Sequence, residues 1–299
     1  MKGELNLPGN FSAEWIKYEN YVFRNDNKGN TYIVPEDGTF FSMYNPFDVS
    51  EEILTDILRI GISSLSDDKN TDALLLLFAK KYGLLGFISS SVYNKNILGD
   101  DFVIFSEGNP VTKEKIMKTE DYIKTFIPFA TEYDVEIRKY KNTVDVIKSE
   151  DSPKYYGKKP LVTDLIFSKF YCEEKKWILN FAENLSRHFD NIITYRNTSS
   201  FLTESVTIMG NVFHSEKIGF TIDQLDKTFI SWKFDSLKTI IEIIYAFSVT
   251  GNKNILNKCN SCGNFFIAAT EREKYCSPAC RNRENVKKSR QRNKKSITE

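Results

Sequence analysis

Four of the five cysteines in this 299-residue chain fall within 22 residues, as Cys259, Cys262, Cys276 and Cys280, in the pattern C-x2-C-x13-C-x3-C. The segment around them has little else to fold with. Phe265, Phe266, Ile267 and Tyr275 are too few to make a core for a unit of roughly 40 residues, so a cross-link must supply the missing stability. The start of the chain shows no charged region followed by an apolar one. The most apolar run, Ala73 to Phe78, is far shorter than the ~18 residues of a membrane span. The expected compartment is therefore the reducing cytoplasm, where clustered thiols point to metal rather than to disulfides. An iron–sulfur cluster or a redox pair is the weaker alternative.

The local sequence around each pair fits a tetrahedral Zn²⁺ with thiolates at ~2.3 Å. The first pair has turn spacing, and Gly263 after it is expected to let the backbone approach the metal without a Cβ clash. In the second pair, Ser277 suits a helix cap and Pro278 the first helical position. That sets Cys276 just before a helix and Cys280 in its first turn. A knuckle plus a helix N-terminus is a treble-clef-like arrangement. Four thiolates leave no open position for water, so one structural Zn²⁺ per chain is expected and not a hydrolytic one.

Charge is partitioned along the chain. The total is +1, from 41 basic and 40 acidic residues. Residues 251–299 hold 12 of the basic and 4 of the acidic ones, a balance of +8, which leaves −7 on residues 1–250. The stretch from Arg281 to Lys295 has eight cations, one acid and one apolar side chain, Val286. Such a helix cannot bury itself, and phosphate backbones are its expected partner. Arg281, Lys288, Arg292 and Lys295 share one face; Arg283, Lys287, Arg290 and Lys294 are expected on the adjacent one. Asn282, Asn285, Gln291 and Asn293 have the donor and acceptor groups to reach base edges. The bland alternative is a solvated tail.

Residues 258–292 resemble the CGNR zinc finger found at the C-terminus of bacterial proteins regarded as transcription regulators. The matching features are Cys259, Cys262, Phe266, Arg272, Tyr275-Cys276-Ser277, Cys280, Asn282-Arg283 and the following Lys/Arg run. The family has Gly after its last Cys where this chain has Arg281. The resemblance implies DNA binding; the candidate contact residues, from the composition of the basic stretch, are Arg281, Asn282, Arg283, Lys287, Lys288, Arg290, Arg292, Lys294 and Lys295.

The remaining 250 residues read as an α+β body, mostly helical. Tyr21–Phe23, Thr31–Val34 and Thr39–Tyr44 are expected to form a small antiparallel meander. Asp48 and Glu51 make a capping box ahead of an apolar stripe of Ile53, Leu54, Ile57 and Leu58. A second helix runs from near Asp72 to a stop at Gly83, Phe102–Phe105 reads as a strand, and a short helix follows Thr119. Residues 139–160 are a polar loop. A long helix spans roughly Leu161 to Ile192 and a last one Asp235 to about Val249. Phosphate loops, nucleophile elbows and H-E-x-x-H are absent from the sequence. His188 reads as a surface or satisfied core residue, Cys172 as a small buried side chain, and Glu173-Glu174 as solvated surface. The body is expected to sense a ligand or form a homodimer, with residues 251–299 as the finger. The rival classes are an interaction protein whose finger docks on an acidic partner, and a nucleic-acid-directed enzyme with its active site in the body.

Overall fold

A computed structural model of the chain describes residues 11–91, 102–108, 112–118, 125, 128–129, 158–160, 162, 168–197, 218–224, 228–251, 255–270 and 272–298. Among them are five helices and several small antiparallel sheets, an α+β arrangement. Of the expected helix after Thr119 only Thr125, which is helical, is described, and nearly all of the 139–160 loop lies outside the described residues.

The N-terminal strands do not make one meander. Strands β2 (Tyr21–Asn25) and β3 (Thr31–Pro35) form the expected hairpin, Val22 opposite Val34. Asp26 closes it, its Oδ1 accepting from the backbone N–H of Lys28 and of Asn30 at 2.8 Å each. The next strand, β4 (Phe41–Tyr44), turns away and pairs with β1 (Trp15–Tyr18), Trp15 opposite Tyr44. Trp15 and Ile16 point to opposite faces yet both are buried, so β1 has no polar alternation to mark it as a strand. The free edge of β3 is taken by a two-residue strand, β9 (Glu173–Glu174).

Helix α1 (Ser50–Leu65) follows a 3-10 turn over Pro46–Val49. Asn45, not Asp48, caps that turn by accepting from the Phe47 N–H. Pro46 starts the turn early, so Asp48 lies inside it and α1 begins without a side-chain cap. The expected capping box is therefore not made. The apolar stripe holds: Ile53, Leu54, Ile57 and Leu58 are fully buried. Helix α2 (Thr71–Tyr82) stops at Gly83 as expected. Strands β5 (Ile88–Ser91), β6 (Phe102–Gly108), β7 (Thr112–Lys118) and β8 (Lys158–Pro160) form a sheet in the order β7-β6-β5-β8, with the expected Phe102–Phe105 strand inside β6.

The long helix α3 begins at Lys175, not Leu161, and runs to Asn197. Ser168–Phe170 form a turn, and the next residues are extended because Glu173 is pinned from outside. Its Oε1 accepts from the N–H groups of Gly86 (2.5 Å) and Phe87 (3.1 Å) and from the Tyr171 hydroxyl (2.7 Å). Its Oε2 accepts from the Leu85 N–H at 2.8 Å. Glu173 and Glu174 are both buried, so the reading of this pair as solvated surface is wrong. The carboxylate takes up the amides of a segment that leaves α2 and has no helix of its own to pair them. Cys172 beside it is buried, as expected.

Strands β10 (Gly219–Gln224) and β11 (Thr228–Lys233) make a hairpin, and α4 (Leu237–Thr250) follows with Ser236 capping the Thr239 N–H at 3.0 Å. Helix α1 crosses α3 closely: a Cβ on Gly61 would meet the Ala182 carbonyl oxygen at 2.2 Å. His188 on α3 is half-buried and bonds through Nδ1 to the Tyr245 hydroxyl on α4 at 2.6 Å. The last elements are β12 (Ile255–Lys258), β13 (Phe265–Ala268) and α5 (Pro278–Thr298). No helix among the described residues is long and apolar enough to cross a membrane.

Candidate metal centre

The hairpin β12–β13 carries Cys259 and Cys262 in its connecting turn, and its two faces serve two neighbours. Pairing sets Leu256 opposite Ile267 and Lys258 opposite Phe265 on one face. Ile255 faces Ala268, and Asn257 faces Phe266, on the other. The first face joins the body: Leu256 and Ile267 belong to the same buried cluster as α1, α3 and α4. Phe265 meets Phe189 of α3, and Lys258 reaches Asp190 at 3.1 Å. On the second face Phe266 and Ala268 pack with Cys259 and Cys280 in a separate small cluster, with Cys262 and Tyr275 beside it.

Beyond β12 the chain makes a tight knuckle. The Gly263 N–H bonds back to the Cys259 carbonyl at 2.8 Å, and the Cys259 N–H to the Asn264 carbonyl at 2.8 Å. Gly263 sits at φ +74° with open space where a Cβ would be. The left-handed turn there is one that a glycine adopts without strain. The return segment is tied to the knuckle by residues that the cysteine spacing does not reveal. Asn260 donates to the Lys274 carbonyl at 2.9 Å and the Asn257 amide to the Glu273 carbonyl at 2.8 Å. The Glu273 carboxylate accepts from the Ala269 N–H at 3.1 Å. Then Ser277 caps α5 as expected, its hydroxyl accepting from the Cys280 N–H at 3.3 Å, with Pro278 first in the helix.

These elements bring Cys259, Cys262, Cys276 and Cys280 together with all four sulfurs within 4.8 Å of one another. Cys262–Cys276 and Cys276–Cys280 are 3.6 Å apart. Thiolates on a tetrahedron at ~2.3 Å from its centre are separated by about 3.8 Å, so the donor set fits a metal ion. Cys259 and Cys280 are buried, Cys262 is half-buried and Cys276 exposed. Burial works to raise the Cys259 thiol, but the backbone groups of Cys276, Cys262 and Ser261 and the Cys262 side chain outweigh it and bring it down to about 6. Burial, then the thiols of Cys262, Cys280 and Cys259, push Cys276 up to about 12. Burial also raises Cys262. One thiolate is welcome without a metal; four so close together need a cation. No other cluster of three or more such ligands occurs among the described residues.

Helix α5 rises directly from this group. Arg281, Asn282, Arg283, Asn285, Val286, Lys287, Lys288, Ser289, Arg290 and Gln291 are exposed, and only Glu284 between them is half-buried. Among the described residues none of these cations is ion-paired. Arg292, Lys294 and Lys295 lie in α5, but their side chains are outside the described residues. At about 100° per residue, the Arg281/Lys288 row and the Arg283/Lys287/Arg290 row stand on nearly opposite flanks of the helix, not on adjacent faces. No family model, curated protein or solved structure matches the chain.

Proposed function

We propose that the chain is a nucleic-acid-binding regulatory protein, acting on DNA, in which a structural Zn²⁺ on Cys259, Cys262, Cys276 and Cys280 aims α5 at its target. The observation that carries this reading is α5 itself. Five exposed, unpaired cations follow Cys280 within three turns, on a helix whose first turn holds a ligand of the metal group. A metal there fixes where the cations point, which a solvated tail has no use for. Zinc is preferred to an iron–sulfur cluster because the sulfur separations suit one tetrahedral ion. A knuckle and a helix N-terminus that each supply two cysteines make a treble-clef-like arrangement, which supports this assignment, as does the resemblance of residues 258–292 to the CGNR finger. Residues 1–250 act as the sensing or dimerising part and residues 251–299 as the finger. The acidic body faces away from the polyanion.

A second reading, an interaction protein, is favoured by the β10–β11 hairpin, where Phe220, Ile222, Phe229 and Ile230 are exposed. Binding of labelled DNA by the zinc-loaded chain at several salt concentrations decides between them. If about four to six phosphates are neutralised, log K falls against log[salt] with a slope of roughly −3.6 to −5.4. Changing Lys287, Lys288, Arg290 and Arg292 together to Ala flattens the slope and weakens binding to all sequences alike. Absence of binding at low salt, or indifference to the four changes, leaves the interaction protein in front.

A further inference from the structure

The arrangement of residues around α5 says which form of nucleic acid this helix suits; the argument rests on the nucleic-acid reading above. On a helix of 3.6 residues per turn, Asn282, Asn285, Val286 and Ser289 fall on one face, at i, i+3, i+4 and i+7. All four are exposed. Arg281 and Lys288 line one side of that stripe, and Arg283, Lys287 and Arg290 line the other. The face opposite the stripe holds Cys280, Glu284 and Gln291. Cys280 belongs to the metal group, and Glu284 is both the one acid of the Arg281–Lys295 stretch and the one half-buried residue between 281 and 291. The uncharged stripe therefore points away from the metal group, with a row of cations along each edge.

A single strand offers one phosphate backbone, and one cation row would serve it. Two rows with a hydrogen-bonding stripe between them complement a groove with two phosphate walls and base edges on its floor. A helix is roughly 10–12 Å across, which matches the ~12 Å major groove of B-form DNA and not its ~6 Å minor groove. The major groove of A-form RNA is too deep and narrow for side chains to read. The stripe runs over eight residues, Asn282 to Ser289, about 10 Å along the axis, or roughly three base pairs. Its side chains suit that floor: an Asn amide pairs bidentately with adenine, a Ser hydroxyl serves either base type, and the Val286 methyls suit a thymine methyl.

We propose that α5 reads duplex DNA from the major groove, over about three base pairs that include A·T, through Asn282, Asn285, Val286 and Ser289, with its two cation rows on the two phosphate walls. The test uses the zinc-loaded full chain and fluorescence anisotropy on one sequence as duplex DNA, duplex RNA and single-stranded DNA. Duplex DNA is expected to bind at least about tenfold tighter than the other two, and the major-groove ligand methyl green, not the minor-groove ligand netropsin, to displace the protein. Selection from randomised duplexes is then expected to return an A·T-containing motif. Its preference over random duplex is expected to fall by roughly five- to hundredfold in the triple change Asn282→Ala, Asn285→Ala, Ser289→Ala. Asn285→Arg gives a gain that misfolding cannot imitate, since an arginine there should select guanine at one position. Equal or tighter binding of RNA or single strands overturns the proposal, as do displacement by netropsin alone and a motif unchanged in both variants. Each of these leaves nucleic-acid binding standing. No binding to any of the three probes at low salt removes the underlying reading instead.

Discussion

The rings of Phe189 on α3 and Phe265 on β13 meet edge to face with centroids 5.6 Å apart. This contact, the Lys258–Asp190 pair and the burial of Leu256 and Ile267 among body side chains make the β12–β13 hairpin a shared wall. One face closes the body core, and the other backs the cysteines. Leu256 is fully buried on the body side. Leu256→Ala is therefore expected to lower the stability of the body itself by about 2–5 kcal/mol, the usual cost of a buried Leu cavity. Urea unfolding followed by tryptophan fluorescence reads this, since all three tryptophans precede residue 251. An unchanged body transition would show that the hairpin adds nothing to the body core.

Glu173 accepts four hydrogen bonds, and its removal is a local test of the fold. Glu173→Gln keeps an oxygen for Gly86, Phe87 and Tyr171 but turns an NH₂ toward the Leu85 N–H, which Oε2 now satisfies. One buried donor is left unpaired, at a cost of about 1–3 kcal/mol. The expected result is a lower urea midpoint with an unchanged slope. A neutral substitution would mean that the 85–87 segment finds other acceptors.

Local signals were legible in the sequence where one element's own residues decide the outcome. The stripe Ile53/Leu54/Ile57/Leu58, the stop at Gly83, the Ser277-Pro278 helix start and the cysteine quartet all depend on spacings of a few residues. What was illegible depends on partners far along the chain. Glu173-Glu174 reads as surface because the amides that bury Glu173 come from Leu85–Phe87, more than 80 positions away. Strand β1 is hidden because Trp15 and Ile16 are apolar on both faces, and with β1 unseen β4 has only β3 to pair with. The start of α3 is obscured because apolar residues run on upstream of Lys175 while the Glu173 contacts hold the chain extended. The tie from Glu273 to Ala269 carries no motif at all.

Cys276 is the exposed cysteine of the four and lies outside the hairpin, so its loss should separate metal binding from the body fold. Cys276→Ser is expected to abolish the tight binding of one Zn²⁺ per chain, seen by native mass spectrometry, and to lower helix content by circular dichroism as α5 loses its anchored first turn. The main thermal transition should stay within a few degrees of the wild type, because the body-facing side of the hairpin needs no metal to stay buried. Loss of that transition would show instead that the metal holds the shared wall together.

Zinc uptake should also release protons, and the ligand thiols set how many. A metal takes thiolates, so every thiol still protonated must give up its proton on binding. At pH 7 Cys259, brought down to about 6, is already mostly ionised and gives little. Cys276, pushed up to about 12, and Cys262, also raised, are protonated and each release one. At least two protons should therefore appear per zinc, so affinity rises with pH by about a hundredfold or more per unit near neutrality. As the pH falls below about 6, Cys259 becomes protonated too and the dependence steepens by about another tenfold per unit. Isothermal calorimetry in buffers of different ionisation enthalpy counts the protons, and competition with a chromogenic chelator follows the affinity across pH 5 to 8. Release of fewer than two protons at pH 7 would mean that the apo cluster already holds several thiolates, against the mutual repulsion of sulfurs 3.6 Å apart.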